Sequence, residues 1–282
     1  MIEENSSKKS DFSSGQNKTI WLDTNPLKFK NLLGEDTETN VLIIGGGIAG
    51  LTTAYLCLKE GKKVIVLEDG YLGSGETGRT TAHLSTCLDD RYYNYEKYFG
   101  KDGSKLVAES HADAIREIET IVKRENITCD FKRINGYLFL HESDKLKNLN
   151  EELNATHRAG IKTEMRNAIP GFSGKGETNS IQFPNQGRFH VLKYLQGLQE
   201  AVLNLGGKIY THSRAEKISS KGAEANGFTI DAQYIVVATN TPVNDFLTMH
   251  TKQHAYRSYV VGGKIKKDSV LDALWWDTGN QN

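Results

Sequence analysis

The chain has 282 residues, 38% hydrophobic and 25% charged, with 35 basic and 35 acidic side chains and so no formal net charge. That length holds one or two domains around a sizeable core, while zero net charge removes the electrostatic case for nucleic acid or an acidic membrane surface. No apolar run is long enough to span a bilayer, and Cys57, Cys87 and Cys129 show no C-x-x-C or C-x-H spacing suited to zinc, iron–sulfur or dithiol chemistry.

Residues 1–18 are rich in Ser, Asn and Lys and lack a signal-peptide core, so a disordered tail over 1–19 and cytoplasmic residence are expected. Residues 20–40, anchored by Trp21 and Leu22, read as a leader packed on the first domain. Residues 41–44 (VLII) form a short, continuous apolar strand of the kind buried on both faces of a parallel sheet. G-x-G-x-x-G follows at Gly45, Gly47 and Gly50. A helical stretch with Leu51, Ala54, Tyr55 and Leu58 on one face comes next and ends at Gly61. Residues 64–67 are a second apolar strand, closed by Glu68.

This β-turn-α-β unit is a dinucleotide fingerprint, and each part has a physical role. Gly45 permits a tight turn, Gly47 lets the backbone approach a pyrophosphate, and Gly50 lets the helix pack close to the sheet. The helix start, with the N–H groups of Ile48 and Ala49, presents donors and a partial positive charge to phosphate. Glu68 is placed to accept hydrogen bonds from the ribose hydroxyls, which disfavours a 2′-phosphate and hence NADP.

A glycine- and hydroxyl-rich segment, GSGETGRTTAHLS, comes next. Its permissive glycines and N–H donors suit a second ligand-contacting loop. Residues 103–125 read as an amphipathic helix with Leu106, Val107, Ser110, Ala114, Ile118, Ile121 and Val122 inward. Residues 129–140 read as a strand with Gly136 as a bend or bulge, and 145–159 as a helix. Residues 181–190 read as a strand broken by Pro184, and 191–205 as a helix stopped by Gly206–Gly207. Strands are expected at 208–211, on through SRAEKI, at 228–230, at 234–238 (a buried strand, YIVVA, ending in small residues) and at 256–265, before the aromatic tail 274–276. The order predicts an α/β chain: a Rossmann-like domain with a parallel sheet, interrupted by a mixed-sheet α+β domain.

With the fingerprint, the GRTTAHLS loop, FPNQGRFHVLKYLQGL, YIVVATN and YRSYV in hand, the chain resembles the FAD-dependent oxidoreductases of the D-amino-acid oxidase class. It is most similar to a bacterial branch that often carries a C-terminal Rieske domain. The resemblance implies FAD as cofactor. It implies that the second loop, from Ser74 and Gly75 to Arg79, Thr80, Thr81 and Ala82, lies beside the pyrophosphate and flavin. It puts Ala215 at the adenine through its backbone groups, and Ala238 and Thr239 at the strand end facing the cofactor, with Asn240 where the family has Gly. The division it implies is 20–128 with 181–242 for the FAD-binding domain and 129–180 with 243–282 for the substrate domain. The substrate domain is expected to be incomplete, and no Rieske ligands are present.

The implied activity is hydride transfer from an amine- or amino-acid-like C–H donor to flavin, with a small-molecule substrate and an electron-acceptor protein as partner. Arg257 and Tyr259 are candidates to hold a substrate carboxylate, Arg through two parallel hydrogen bonds. His190, at a strand end opening a helix, is the acid–base candidate, with helix capping as its structural alternative. Arg188 and Tyr137 are weaker carboxylate candidates, and His83, in the second loop, is a candidate to hydrogen-bond the flavin, with a covalent flavin link as the alternative. An NAD-dependent dehydrogenase and a non-catalytic nucleotide-binding fragment are the alternatives. The first explains neither the second loop nor the late VVATN strand.

Overall fold

A computed structural model describes residues 18–171, 178–240 and 262–279. The chain divides into two compact units, 1–81 with 125–129 and 190–258, and 82–124 with 130–189 and 259–282. The long helix at 92–124 and the strand at 180–188 thus lie in the second unit, whereas the sequence division put both in the nucleotide-binding domain. That strand goes with its hydrogen-bonded partner at 132–139.

The first unit is built on a six-stranded sheet. Its strands are β1 (Thr37–Ile44), β2 (Val64–Leu67), β7 (Lys208–Tyr210), β8 (Glu216–Ser219), β9 (Gly222–Ala225) and β10 (Phe228–Val237), in the order β7-β2-β1-β10-β9-β8. The first four in that order are parallel, β9 is antiparallel to β10, and β8 is antiparallel to β9. Leu42 and Ile43 are fully buried, as the unbroken apolar run requires.

Helix α1 (Ile20–Thr24) is the leader's one helical turn. Helix α2 (Ile48–Lys59) buries Leu51, Ala54, Tyr55 and Leu58, and α5 (Val191–Asn204) buries Leu192, Tyr194, Leu195, Leu198 and Val202. Each large apolar side chain withdrawn from water contributes about 1.5–3 kcal/mol. The opposite face of the sheet holds Leu33, Leu42, Ile44, Ile65, Leu67, Ala223, Ala225 and Ile230 in one cluster.

Two expectations for this sheet are revised. β10 is one strand, not two: its polar middle pairs with the polar start of β1, with Glu38 opposite Asp231 and Thr39 opposite Ala232. Its second half is not fully buried, since Tyr234 is 65% exposed. On β10, β9 pairs with Phe228 to Asp231, and its other edge pairs with β8.

The second unit has a five-stranded mixed sheet. β11 (Leu274–Asp277), β4 (Lys132–Phe139), β6 (Ser180–Arg188) and β3 (His83–Leu84) lie in that order, and β5 (Glu164–Arg166) pairs with β6. Pro184 does not break β6. The β4–β6 register shifts between Ile134 and Gly136, so the residue lacking an N–H sits at a bulge. Asn185 there has a φ of 59°, and its carbonyl accepts from Arg133 Nη1 at 2.7 Å. The described part of the expected strand at 256–265, residues 262–265, is not strand.

Helix α3 (Tyr92–Arg124) starts well before the expected residue 103 and is interrupted at Gly100, whose φ is 71°. Its inner stripe runs through Ser104, Ala108, Ile115 and Ile121, and Leu106 is 66% exposed. Helix α4 (Leu146–Arg158) packs Leu149 and Ala155 into a core with Tyr92, Leu138, Ile181 and Phe183. Glu152 of α4 is 1% exposed, and its Oε2 accepts the Tyr93 N–H of the first turn of α3 at 3.4 Å. Its Oε1 has no hydrogen-bond partner. Burial pushes its carboxyl up to about 7, against the opposing pull of the Tyr92 and Tyr93 N–H groups and Arg91.

Candidate functional site

The fingerprint glycines and Glu68 converge at the C-terminal edge of the parallel strands, the place where open α/β sheets bind ligands. Gly45 leaves β1 at a φ of 116°, and its N–H is held by the Leu67 carbonyl at 2.8 Å. A Cβ there would lie 2.6 Å from the Ala238 carbonyl oxygen. Ala238 is fixed in turn by its own N–H on the Ile44 carbonyl at 2.8 Å. Gly47 is the N-cap of α2 with an extended backbone, and a Cβ on it would sit 2.9 Å from Thr77 Oγ1. At Gly50 a Cβ would overlap the Gly45 carbonyl oxygen, so only glycine lets the helix start lie against the strand turn.

Glu68 is the anchor of the next strand end. Its Oε2 accepts the Gly46 N–H at 2.7 Å and its Oε1 the Gly70 N–H at 3.0 Å. Burial raises its pKa from the ordinary value, and the two backbone bonds oppose that rise. Gly46 was only an unspecified position in the motif, yet its N–H joins the glycine turn to Glu68. A Cβ at Gly46 would also run into Leu72 and approach the Glu68 side chain.

The second loop contains a 3-10 turn at Glu76–Arg79. Within it the structure adds Thr77, which sequence reasoning missed. Thr77 Oγ1 accepts the Ile48 N–H at 3.0 Å, so this hydroxyl already sits on the first turn of α2. Arg79 turns inward: its Nη1 donates to the carbonyls of Ser74, at 2.5 Å, and Gly75, at 3.2 Å. The leader pins the same loop, with Thr19 Oγ1 on the Gly78 carbonyl at 2.6 Å and Trp21 Nε1 on the Thr80 carbonyl at 2.8 Å. Ser74 is buried, Thr80 and Thr81 are exposed, and Ala82 has a φ of 58°. Thr239 follows Ala238 at the end of β10, half-buried.

Beyond β7 the chain returns beside Glu68, with the Ser213 N–H on the Glu68 carbonyl at 2.9 Å. Ala215 follows, packed against the sheet's apolar cluster. The structure therefore brings together Gly45, Gly47, Ile48, Ala49, Gly50, Glu68 and Ala238 around one turn, with Thr77 against it.

Of the catalytic candidates, one lies in the same unit and is described. His190 is the N-cap of α5: its Nδ1 accepts the Lys193 N–H at 3.3 Å, which leaves Nε2 as the protonated nitrogen facing Thr24 Oγ1 at 2.8 Å. Both ring nitrogens are thus engaged in a capping arrangement, and Trp21 lies edge-on at 5.0 Å. Arg257 and Tyr259 lie outside the described residues. In the second unit Arg188 is spent on a two-pronged ion pair with Asp272, at 2.6 and 2.8 Å, which holds that carboxyl well below the usual range. Tyr137 is buried, and His83 lies edge-on to Trp276 with its pKa lowered by burial.

A glycine turn packed too closely for any Cβ, a helix start beside it and an acid at the neighbouring strand end fit the ADP half of a dinucleotide. Residues 40–276 match the DAO family, described as FAD dependent oxidoreductase. The chain belongs to that family. Its cofactor is therefore FAD, and the NAD-dependent dehydrogenase reading falls.

The chain is 30% identical over 261 residues to YhfW of Bacillus subtilis, named as a Rieske 2Fe-2S iron–sulfur protein, covering 90% of this chain and 51% of that one. It is 28% identical over 222 residues to gamma-glutamylputrescine oxidoreductase of Escherichia coli, covering 76% and 51%. Among solved structures, L-proline dehydrogenase from P. horikoshii superposes with a TM-score of 0.59 at 19% identity, covering 74% and 54%. Glycine oxidase from Geobacillus kaustophilus does so with 0.57 at 17%, covering 72% and 55%. At such identities these structures speak for the fold alone. The chain spans about half the length of these curated relatives. Among the described residues no helix is long and apolar enough to cross a membrane.

Proposed function

We propose that this chain forms the cofactor-binding part of an FAD-dependent oxidoreductase that oxidises an amine or amino acid. The observation that carries the reading is the turn from Gly45 to Gly50 with Glu68 beside it, in a chain of the DAO family. The relative named gamma-glutamylputrescine oxidoreductase supports the substrate class. The relative named as a Rieske iron–sulfur protein supports an electron-acceptor protein as partner.

FAD, when bound, supplies the hydride acceptor. The chain's own residues hold and orient it. The N–H groups at the start of α2, apart from the Ile48 N–H held by Thr77, meet the pyrophosphate, with Gly47 allowing close approach. Glu68 accepts from the ribose hydroxyls while Gly46 and Gly70 keep its carboxylate in place. Thr77 closes the turn from the second loop, and the Arg79 guanidinium stiffens that loop. Ala215, through its backbone, takes the adenine side. In this reading the mixed-sheet unit meets the substrate, and Arg257 and Tyr259 pair with its carboxylate.

The test is to reconstitute the purified protein with FAD under anaerobic conditions and add glycine, L-proline or gamma-glutamylputrescine. Bleaching of the visible flavin bands by one of these amines is the expected result. Bleaching by NADH alone, or none by any amine or amino acid, would overturn the substrate class.

A further inference from the structure

We propose that Trp21 is a positioning residue for the flavin: together with Thr19 it fixes the second loop through that loop's own carbonyls, and the leader from Thr19 to Leu33 is the strap that keeps the loop in place around bound FAD. The inference rests on the FAD reading above and adds to it a segment that lies before residue 40, where the family match begins.

The second loop needs support from outside. Gly70, Gly73, Gly75 and Gly78 punctuate it, and glycine loses more conformational freedom on ordering than any other residue. Its regular piece is the single 3-10 turn at Glu76–Arg79, and the end of a helical turn leaves carbonyls to be satisfied from elsewhere. Arg79 serves the near side of the loop, through the Ser74 and Gly75 carbonyls. The leader serves the far side, with Thr19 Oγ1 donating to the Gly78 carbonyl at 2.6 Å and Trp21 Nε1 to the Thr80 carbonyl at 2.8 Å. Leu22 is buried against Gly78, where a Cβ would lie 3.5 Å from it. Thr19 also caps α1 by accepting the Leu22 N–H at 3.3 Å, so the short helix that carries Trp21 is set by the same hydroxyl.

The strap is itself anchored along its length. Thr24 Oγ1 lies 2.8 Å from His190 Nε2, and Asn25 Nδ2 donates to Gln196 Oε1 at 3.2 Å. Further on, the Thr211 N–H donates to the Asn31 carbonyl at 2.7 Å, the Asn31 N–H to Thr211 Oγ1 at 3.0 Å and the Leu33 N–H to Ser213 Oγ at 3.0 Å. The Ser213 N–H is in turn on the Glu68 carbonyl. One short run therefore joins the far side of the second loop to the strand end that carries Glu68. Thr77 of the same loop sits on the Ile48 N–H at 3.0 Å, so a loop held by the strap is held against the first turn of α2.

The experiment uses the full chain and three variants. Trp21→Phe keeps a ring against His190 and removes the N–H. Thr19→Val removes the hydroxyl at nearly the same volume, and Thr19→Ser restores it. Trypsin cleavage after Arg79, followed by mass spectrometry, reads the loop without flavin. The rate of FAD release on dilution, followed by flavin fluorescence, reads the cofactor, and calorimetric ADP affinity reads the turn at 45–50. The expected result is cleavage and FAD release each about fivefold faster in Trp21→Phe and Thr19→Val, wild-type behaviour in Thr19→Ser, and ADP affinity within about twofold throughout. Unchanged cleavage in Trp21→Phe and Thr19→Val would overturn the strap. Faster cleavage with unchanged FAD release would overturn the positioning role. FAD and ADP weakened alike, or Thr19→Ser no better than Thr19→Val, would assign the effect to general loosening of the unit, which also overturns it. A wild type that takes up no FAD would overturn the FAD reading, and the strap's part in holding flavin with it.

Discussion

Glu152→Gln should flatten the dependence of stability on pH. In the folded chain burial raises the Glu152 carboxyl from 4.5 to about 7. The folded state therefore holds this proton more tightly than the unfolded chain does. Its stabilising contribution is complete below about pH 4.5 and is lost as pH rises through about 7. At 1.36 kcal/mol per pKa unit the whole span amounts to about 3 kcal/mol, and roughly 2–3 kcal/mol of it falls between pH 5 and pH 8. The groups facing it are the backbone N–H groups of Tyr92 and Tyr93, with Arg91 and Glu96 acting through space. Glutamine keeps an acceptor for the Tyr93 N–H but does not titrate. Thermal unfolding of the apo protein, wild type and variant side by side from pH 5 to 8, isolates this group from the histidines that titrate in the same window. Wild type should lose several degrees relative to Glu152→Gln on going from pH 5 to pH 8. Parallel profiles would refute the claim that a buried carboxyl on α4 carries a proton at neutral pH.

Glu68→Gln should keep the fold, since the amide oxygen can still accept the Gly46 N–H, but weaken FAD binding about tenfold by losing a charged acceptor for the ribose hydroxyls; FAD titration followed by flavin fluorescence checks it. In wild type the same affinity should fall at acid pH, because the raised Glu68 pKa removes the carboxylate sooner than in a free glutamate. His190→Ala should lower stability by about 1 kcal/mol through loss of the α5 cap. It should leave the pH profile of flavin reduction unchanged, and a lost ionisation in that profile would restore His190 to the acid–base role.

The part of the fold legible in the sequence is the part written locally. The run from Val41 to Glu68 carries its strand, turn, helix and strand in contiguous residues, and the structure places each where the pattern does. The polar start of β1 was hidden because Thr37 to Thr39 become strand only by pairing with residues 230–232, far along the chain. The early start of α3 was hidden by Gly100, where the helix breaks and resumes with its buried stripe on a different set of residues. Pro184 suggested a break because a proline cannot donate to a ladder, but a bulge in its own strand at 184–185 accommodates it.

In the site, glycines and the strand-end acid were readable because their chemistry needs fixed spacing. Thr77 was not, since one hydroxyl among several in GSGETGRTT has no distinguishing local signal; what selects it is its distance to the Ile48 N–H. Arg79 looked like a ligand cation, yet its fork satisfies the loop's own carbonyls. Which donor meets which acceptor is a tertiary property.

The central claim is that the turn at 45–50 with Glu68 holds FAD. Equilibrium dialysis of the purified chain against FAD, followed by the visible absorption of the retained protein, tests it directly. Flavin bands should stay with the protein and be displaced by excess ADP. A colourless protein after dialysis, at FAD concentrations that saturate other flavoproteins of this family, would contradict it.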